Sequence, residues 1–194
     1  MTVSVTAPRA GSGRDVMRRF LAQPSAVIAL VVFAAFCVAA LFAPLLAPQN
    51  PYDLAQVDIL DSLLPPGSES FSGMTYWLGT DEQGRDMLSA ILYGIRISLL
   101  VGVLSGVLAL MVGTVVGLIA AYRRGWVDTL LMRIVDLQLS FPTILVALIL
   151  LVILGRGVDK IIFALVVVQW AYFARTVRGV ALVEGARDYV EAAR

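Results

Sequence analysis

The stretch ISLLVGVLSGVLALMVGTVVGLIAAY, Ile97 to Tyr122, runs for 26 residues without a charge. At about 1.5 Å per residue, a helix of this length exceeds the roughly 30 Å hydrocarbon core of a bilayer. It reads as a transmembrane helix. Gly102 and Gly106 are four apart, as are Gly113 and Gly117, a spacing at which small residues let a second helix approach closely. Working outward, residues 20–52, Leu137 to Gly155 and Ile161 to Ala174 are also uncharged. Pro24 opens the first of these, and Pro44, Pro48 and Pro51 close it because proline lacks a backbone donor. Its helix is best placed at about Ser25 to Phe42, within a segment 25–46. The last run has 14 residues, enough for a span only if Lys160 and Arg175 extend their charged ends toward the two interfaces. The expected fold is an all-α polytopic bundle with four spans, at 25–46 and about 97–121, 136–155 and 159–177.

Composition agrees with this reading. Of 194 residues, 59% are apolar and only 15% charged, against about 25% charged in a soluble domain, and the mean hydropathy is +0.87. A net charge of +1 gives no global basic field for nucleic acid. The chain has no His, which removes Ser-His and Cys-His catalysis and the commonest metal ligand. No catalytic or metal-binding set is expected. Cys37 lies in an apolar run and reads as a small hydrophobe rather than a reactive thiol.

The charges are asymmetrically placed. With the N-terminus inside, Arg9, Arg14, Arg18, Arg19, Arg123, Arg124, Arg133, Arg175, Arg178, Arg187 and Arg194 are cytoplasmic, and only Arg85, Arg96, Arg156 and Lys160 are external. A cleaved signal peptide is the competing reading of the start; the apolar run is too long for one, and prolines rather than an A-x-A site follow it. Residues 1–24 form a cytoplasmic arm, its first 13 residues disordered by composition. Residues 47–94 form an external loop with seven acids from Asp53 to Asp86 and a turn at Pro65-Pro66-Gly67. Thr80 reads as a helix N-cap, with Gln83 three residues on. The helix that follows is expected to lie amphipathically at the membrane surface, with Met87, Leu88, Ile91, Leu92 and Ile95 on one face and Asp86 and Ser89 away from it. Near the end, Asp188 and Glu191 have capping-box spacing, so a short cytoplasmic helix begins there. Taken alone, such a segment is more often an ordinary solvated helix.

Three motifs then carry a resemblance. Tyr189-Val190-Glu191-Ala192-Ala193-Arg194 resembles the opening of the EAA loop of permease subunits in bacterial ABC importers. The string Leu78-Gly79-Thr80-Asp81-Glu82-Gln83-Gly84-Arg85-Asp86, with Leu92 to Leu99 after it, is similar to the dipeptide/oligopeptide/nickel branch, its second, C-type permease in particular. So is the run from Gly125-Trp126-Val127-Asp128 through Arg133 and Asp136 to Ser140-Phe141-Pro142. The resemblance implies a type I importer permease fold over 95–194, with six spans when complete. The chain then stops inside the coupling loop 178–194, as a fragment or as a naturally truncated product.

The resemblance also implies partners: a second permease, two ATP-binding subunits and an extracytoplasmic binding protein, in the bacterial inner membrane, moving peptides or nickel complexes. ATP and Mg would be held by the ATPase subunits; this chain has no G-x-x-x-x-G-K-[ST] string and is not expected to be an enzyme. Arg187, Asp188, Tyr189, Glu191, Ala192 and Ala193 would couple to the ATPase. Gln138, Ser140, Gln169 and Trp170 would line a peptide path or bond helix to helix. Arg133 and Asp136 would form an i,i+3 ion pair, or a gate or subunit contact. The external acids would receive the binding protein or merely be solvated. The alternatives are a non-transporting four-span scaffold or an inactive truncated permease; a secondary transporter would need an ionisable group deep in a span, and the runs contain none.

Overall fold

The computed structural model describes residues 13–53, 55–70 and 73–187. Among them are six α-helices: α1 (Gly13–Leu21), α2 (Pro24–Leu46), α3 (Met87–Arg123), α4 (Gly125–Ser140), α5 (Thr143–Leu154) and α6 (Val158–Glu184). Two short strands, β1 (Ser68–Glu69) and β2 (Thr75–Tyr76), pair antiparallel between α2 and α3. The chain divides into two compact units, residues 1–97 and 98–194.

In the first unit, α2 starts with Pro24 in its first turn, where the missing N–H costs nothing. It continues through Pro44 to Leu46, four residues beyond Phe42. The structure thus moves the proline stop onward: Pro44 sits inside the helix, and Pro48 follows its end. Helix α1 was not anticipated; the residues before the first span read as an arm. The proposed surface helix after Thr80 does not exist as a separate element either. Met87 begins a 37-residue helix that runs unbroken to Arg123. Its first turns depart from the expected faces: Asp86 and Ser89 are fully buried, Ile91 is 46% exposed, and Met87, Leu88, Leu92 and Ile95 are half-buried. Polar hydrogen bonding at the helix start, rather than apolar periodicity, decides which side turns inward.

The second unit is organised around α6, which packs against both α4 and α5. Its small core holds Val135, Ala171 and Ala174, with Val116, Met132, Leu139 and Trp170 against them. Gly113 and Gly117 allow α3 to meet α6 at backbone distance: a Cβ on Gly113 would lie 2.6 Å from the Trp170 carbonyl oxygen, and one on Gly117 2.6 Å from that of Ala174. Gly102 and Gly106 face open space. Of the two expected glycine pairs, only the second makes a helix crossing among the described residues.

The third apolar run is not a straight span. Helices α4 and α5 meet at 88° across Phe141 and Pro142, because Pro142 supplies no N–H to continue the ladder and disfavours helical geometry at Phe141. Among the described residues three helices are long and apolar enough to cross a membrane, or four if the bent pair forms one span. The fourth run becomes the 27-residue α6, which resolves its shortness by extending past both flanking charges.

Gly113→Val should force α3 from α6 and cost about 1–3 kcal/mol, read as a lower thermal midpoint of the detergent-solubilised chain, whereas Gly102→Val should leave the midpoint within experimental error.

Candidate functional site

Two groups of motif residues are brought together, one in each unit. The first lies between α2 and α3. Gly79 and Gly84 adopt φ of +76° and +77°, and a Cβ would come within 2.4 Å of the Leu64 oxygen and 2.0 Å of the Asp58 oxygen respectively. Only glycine satisfies both the left-handed backbone and that closeness. Between them the chain folds back on itself, Thr80 pairing with Asp86. Thr80 is therefore not the cap. Its hydroxyl donates to the Asp61 carbonyl at 2.5 Å and accepts from the Leu64 N–H at 2.8 Å.

Asp86 caps α3 instead: its Oδ2 accepts from the Ser89 N–H at 2.7 Å and hydroxyl at 2.6 Å. Gln49 locks this start to the end of α2, its Oε1 accepting from the Asp86 N–H at 2.8 Å while its own N–H donates to Ser89 Oγ at 3.1 Å. Asp61, also buried, accepts at Oδ2 from Ser70 (2.7 Å) and Tyr76 (2.9 Å). Burial pushes the Tyr76 phenol above its ordinary range; a bond from Ser70 opposes this and the Asp61 carboxylate adds to it. Among the described residues, Asp61 and Asp86 each keep Oδ1 buried without a hydrogen bond. Two of the seven loop acids are thus interior groups rather than solvated ones.

Asp81 and Arg85 close the turn. The Arg85 guanidinium lies 2.7 Å from Asp81 Oδ2, and the N–H groups of Gln83 and Arg85 donate to Oδ1. Burial acts to raise the Asp81 carboxyl, but the Arg85 side chain and the two backbone donors outweigh it, so it titrates below its ordinary value.

The second group ties α4 to α6. Arg178 donates two bonds to Asp128, Nε to Oδ1 at 2.5 Å and Nη2 to Oδ2 at 2.6 Å, a planar fork suited to arginine alone. Arg175 pairs with Asp136. This corrects the i,i+3 expectation: Asp136 reaches across to α6, and Arg133 makes no ion pair among the described residues. Separation in sequence hid both partners, 50 and 39 residues away. Gln138 donates to the Val167 oxygen at 3.3 Å, across the same helix pair, and the Ser140 hydroxyl bonds back to the Asp136 oxygen at 2.6 Å. Trp170 packs on the Val135 core, and Gln169 is half-buried. Helix α6 ends against Gly185, whose N–H donates to Ala181. Arg187, the last described residue, pairs with Glu184 at 2.8 Å. Asp188, Tyr189, Glu191, Ala192 and Ala193 lie outside the described residues.

Three helices long and apolar enough to cross a membrane, or four if the bent pair is one span, define a polytopic membrane protein. Residues 113–194 match the family of binding-protein-dependent transport system inner membrane components, and residues 12–66 match the N-terminal transmembrane domain of oligopeptide transport permease C. The chain belongs to this permease family, in its oligopeptide-permease-C branch. It is 34% identical over 191 residues to the dipeptide transport system permease protein DppC of Bacillus subtilis, covering 98% of this chain and 57% of that one. It is 42% identical over 176 residues to DppC of Escherichia coli K12, covering 90% and 57%. The glutathione transport system permease protein GsiD of Pectobacterium atrosepticum is 38% identical over 181 residues, covering 93% and 58%. The chain thus spans less than three-fifths of the length of these relatives.

Two outcomes follow. Because the folded-state acidity of Asp81 is enhanced, its pairing should contribute stability at all pH values above about 4, its unfolded pKa, and lose it as pH falls through the lower folded value; Asp81→Asn should lower the unfolding midpoint at pH 7 and flatten the acid limb of the stability curve. Arg178→Lys cannot reproduce the fork and should cost about 1 kcal/mol in chemical denaturation, with Arg175→Lys costing less because both members of its pair are half exposed.

Proposed function

We propose that this chain is the C-type permease subunit of an ATP-driven, binding-protein-dependent importer, oriented with its N-terminus in the cytoplasm. With a second permease it forms a path for peptides across the inner membrane, while two ATP-binding subunits hold ATP and Mg and an extracytoplasmic protein delivers the substrate. The observation that carries this reading is the pair of family matches in permease order, supported by relatives named for dipeptide and glutathione transport. Peptides are the substrate class these names support; nickel complexes remain an expectation of the resemblance.

Mechanically, the coupling step falls to the segment after α6. Tyr189, Glu191, Ala192 and Ala193, with Arg187 and Asp188, offer an ATPase groove two small side chains flanked by charge, so close approach is possible and the contact has a defined register. A displacement there acts directly on α6, which the Asp128 and Asp136 pairs join to α4 and the glycine crossing joins to α3. The chain performs no chemistry in this scheme. It converts movement of one helix into movement of its neighbours.

Ala193→Trp should abolish uptake of radiolabelled dipeptide by the assembled importer and release the ATPase subunits in copurification, with membrane insertion unchanged. Normal uptake with normal ATPase recovery would exclude the coupling role. Failure of the unsubstituted chain to bring down any ATPase would favour a scaffold.

A further inference from the structure

Helix α1 takes no part in the capped segment or in the α4–α6 pairing. It has nine residues, fewer than the roughly 12–15 that an isolated helix needs for even marginal stability in water. Met17, Phe20 and Leu21 stand at i, i+3 and i+4, hence on one stripe, and they are 59%, 36% and 61% exposed. Arg18 and Arg19 lie off that stripe, are exposed, and make no ion pair among the described residues. Among the described residues, the helix carries an uncovered apolar stripe flanked by two arginines without an ion pair.

What covers it is constrained by the tether. Only Ala22 and Gln23 separate Leu21 from Pro24, where α2 begins, and the link is a tight turn, Ala22 donating to Arg18 and Gln23 to Phe20. Helix α1 also packs against α2, whose own surface is apolar, with Ile28, Val31 and Phe33 all more than half exposed. An apolar stripe held within two residues of a membrane span is held at the boundary between headgroups and acyl chains. Guanidinium groups at that depth meet phosphate oxygens, to which they can donate two parallel bonds.

We infer that α1 is an interfacial anchor for anionic phospholipid, with Met17, Phe20 and Leu21 in the acyl boundary and Arg18 and Arg19 on the headgroup phosphates. A protein groove would cover the apolar stripe equally well but would not respond to lipid charge. Anionic lipid satisfies the stripe, the cations and the tether together.

The test uses the full chain in nanodiscs made with or without phosphatidylglycerol in phosphatidylcholine. In a Cys37→Ala background, Met17→Cys should react with a membrane-impermeant maleimide roughly tenfold more slowly when phosphatidylglycerol is present. Glu69→Cys, in the polar segment, should react at the same rate in both lipids. Adding Arg18→Gln and Arg19→Gln should bring the two Met17→Cys rates together; these changes lie outside α2, so insertion provides an independent check that the protein is intact. Equal Met17→Cys rates in both lipids before the arginines are removed would overturn the inference. So would protection that appears only when ATPase subunits are added.

Discussion

Hydrocarbon offers no hydrogen bond, so every backbone polar group that enters it must be satisfied by its own chain. That constraint shapes the whole molecule. It is why the apolar runs become long helices, and why the break at Phe141 and Pro142 produces two helices at a sharp angle rather than a distorted single one. A charge carried within a helix of such a protein is costly unless it finds a partner. The Asp128–Arg178 fork and the Asp136–Arg175 pair are one answer to this requirement. The capped start of α3 is another.

The segment between α2 and α3 is a small polar fold with its own logic. Gln49 follows the end of one long helix and bonds to Asp86 and Ser89 at the start of the next, so the glycine-bounded turn at 79–86 does two jobs: it begins α3 and fastens it to the end of α2. Asp61, Tyr76 and Thr80 hold the rest of the segment around buried hydroxyl and carboxylate groups. Buried networks of this kind impose one geometry because any alternative strands a polar group.

Within the second unit, α6 is the common element. It meets α3 through glycines and α4 through ion pairs and a small-residue core, and it also packs against α5. The first two contacts differ in physical kind, and together the three make α6 the helix through which, in the proposed scheme, a force applied to the coupling segment would reach the others. Such an arrangement suits a subunit whose proposed work is to be moved by a motor that binds and hydrolyses ATP elsewhere.

Much of this was readable in the amino-acid order. Uncharged runs gave the class of fold and one helix, α2, nearly to its ends, because hydrophobic length is a local property that needs no partner to interpret; α3 begins well before its uncharged run and α6 continues well past its own. The family followed from motifs whose residues are close in sequence. What the order alone misassigned depends on distant contacts. Thr80 has the spacing of a cap, yet Asp86 is the cap because Asp61 and Leu64 claim the Thr80 hydroxyl. Asp136 has Arg133 three residues away, yet it pairs with Arg175 because α6 lies beside α4. Two glycine pairs share one spacing, and only Gly113 and Gly117 meet a helix. A sequence specifies which groups can bond; which of several eligible partners is reached is settled only when the chain has brought its distant segments within a few ångströms.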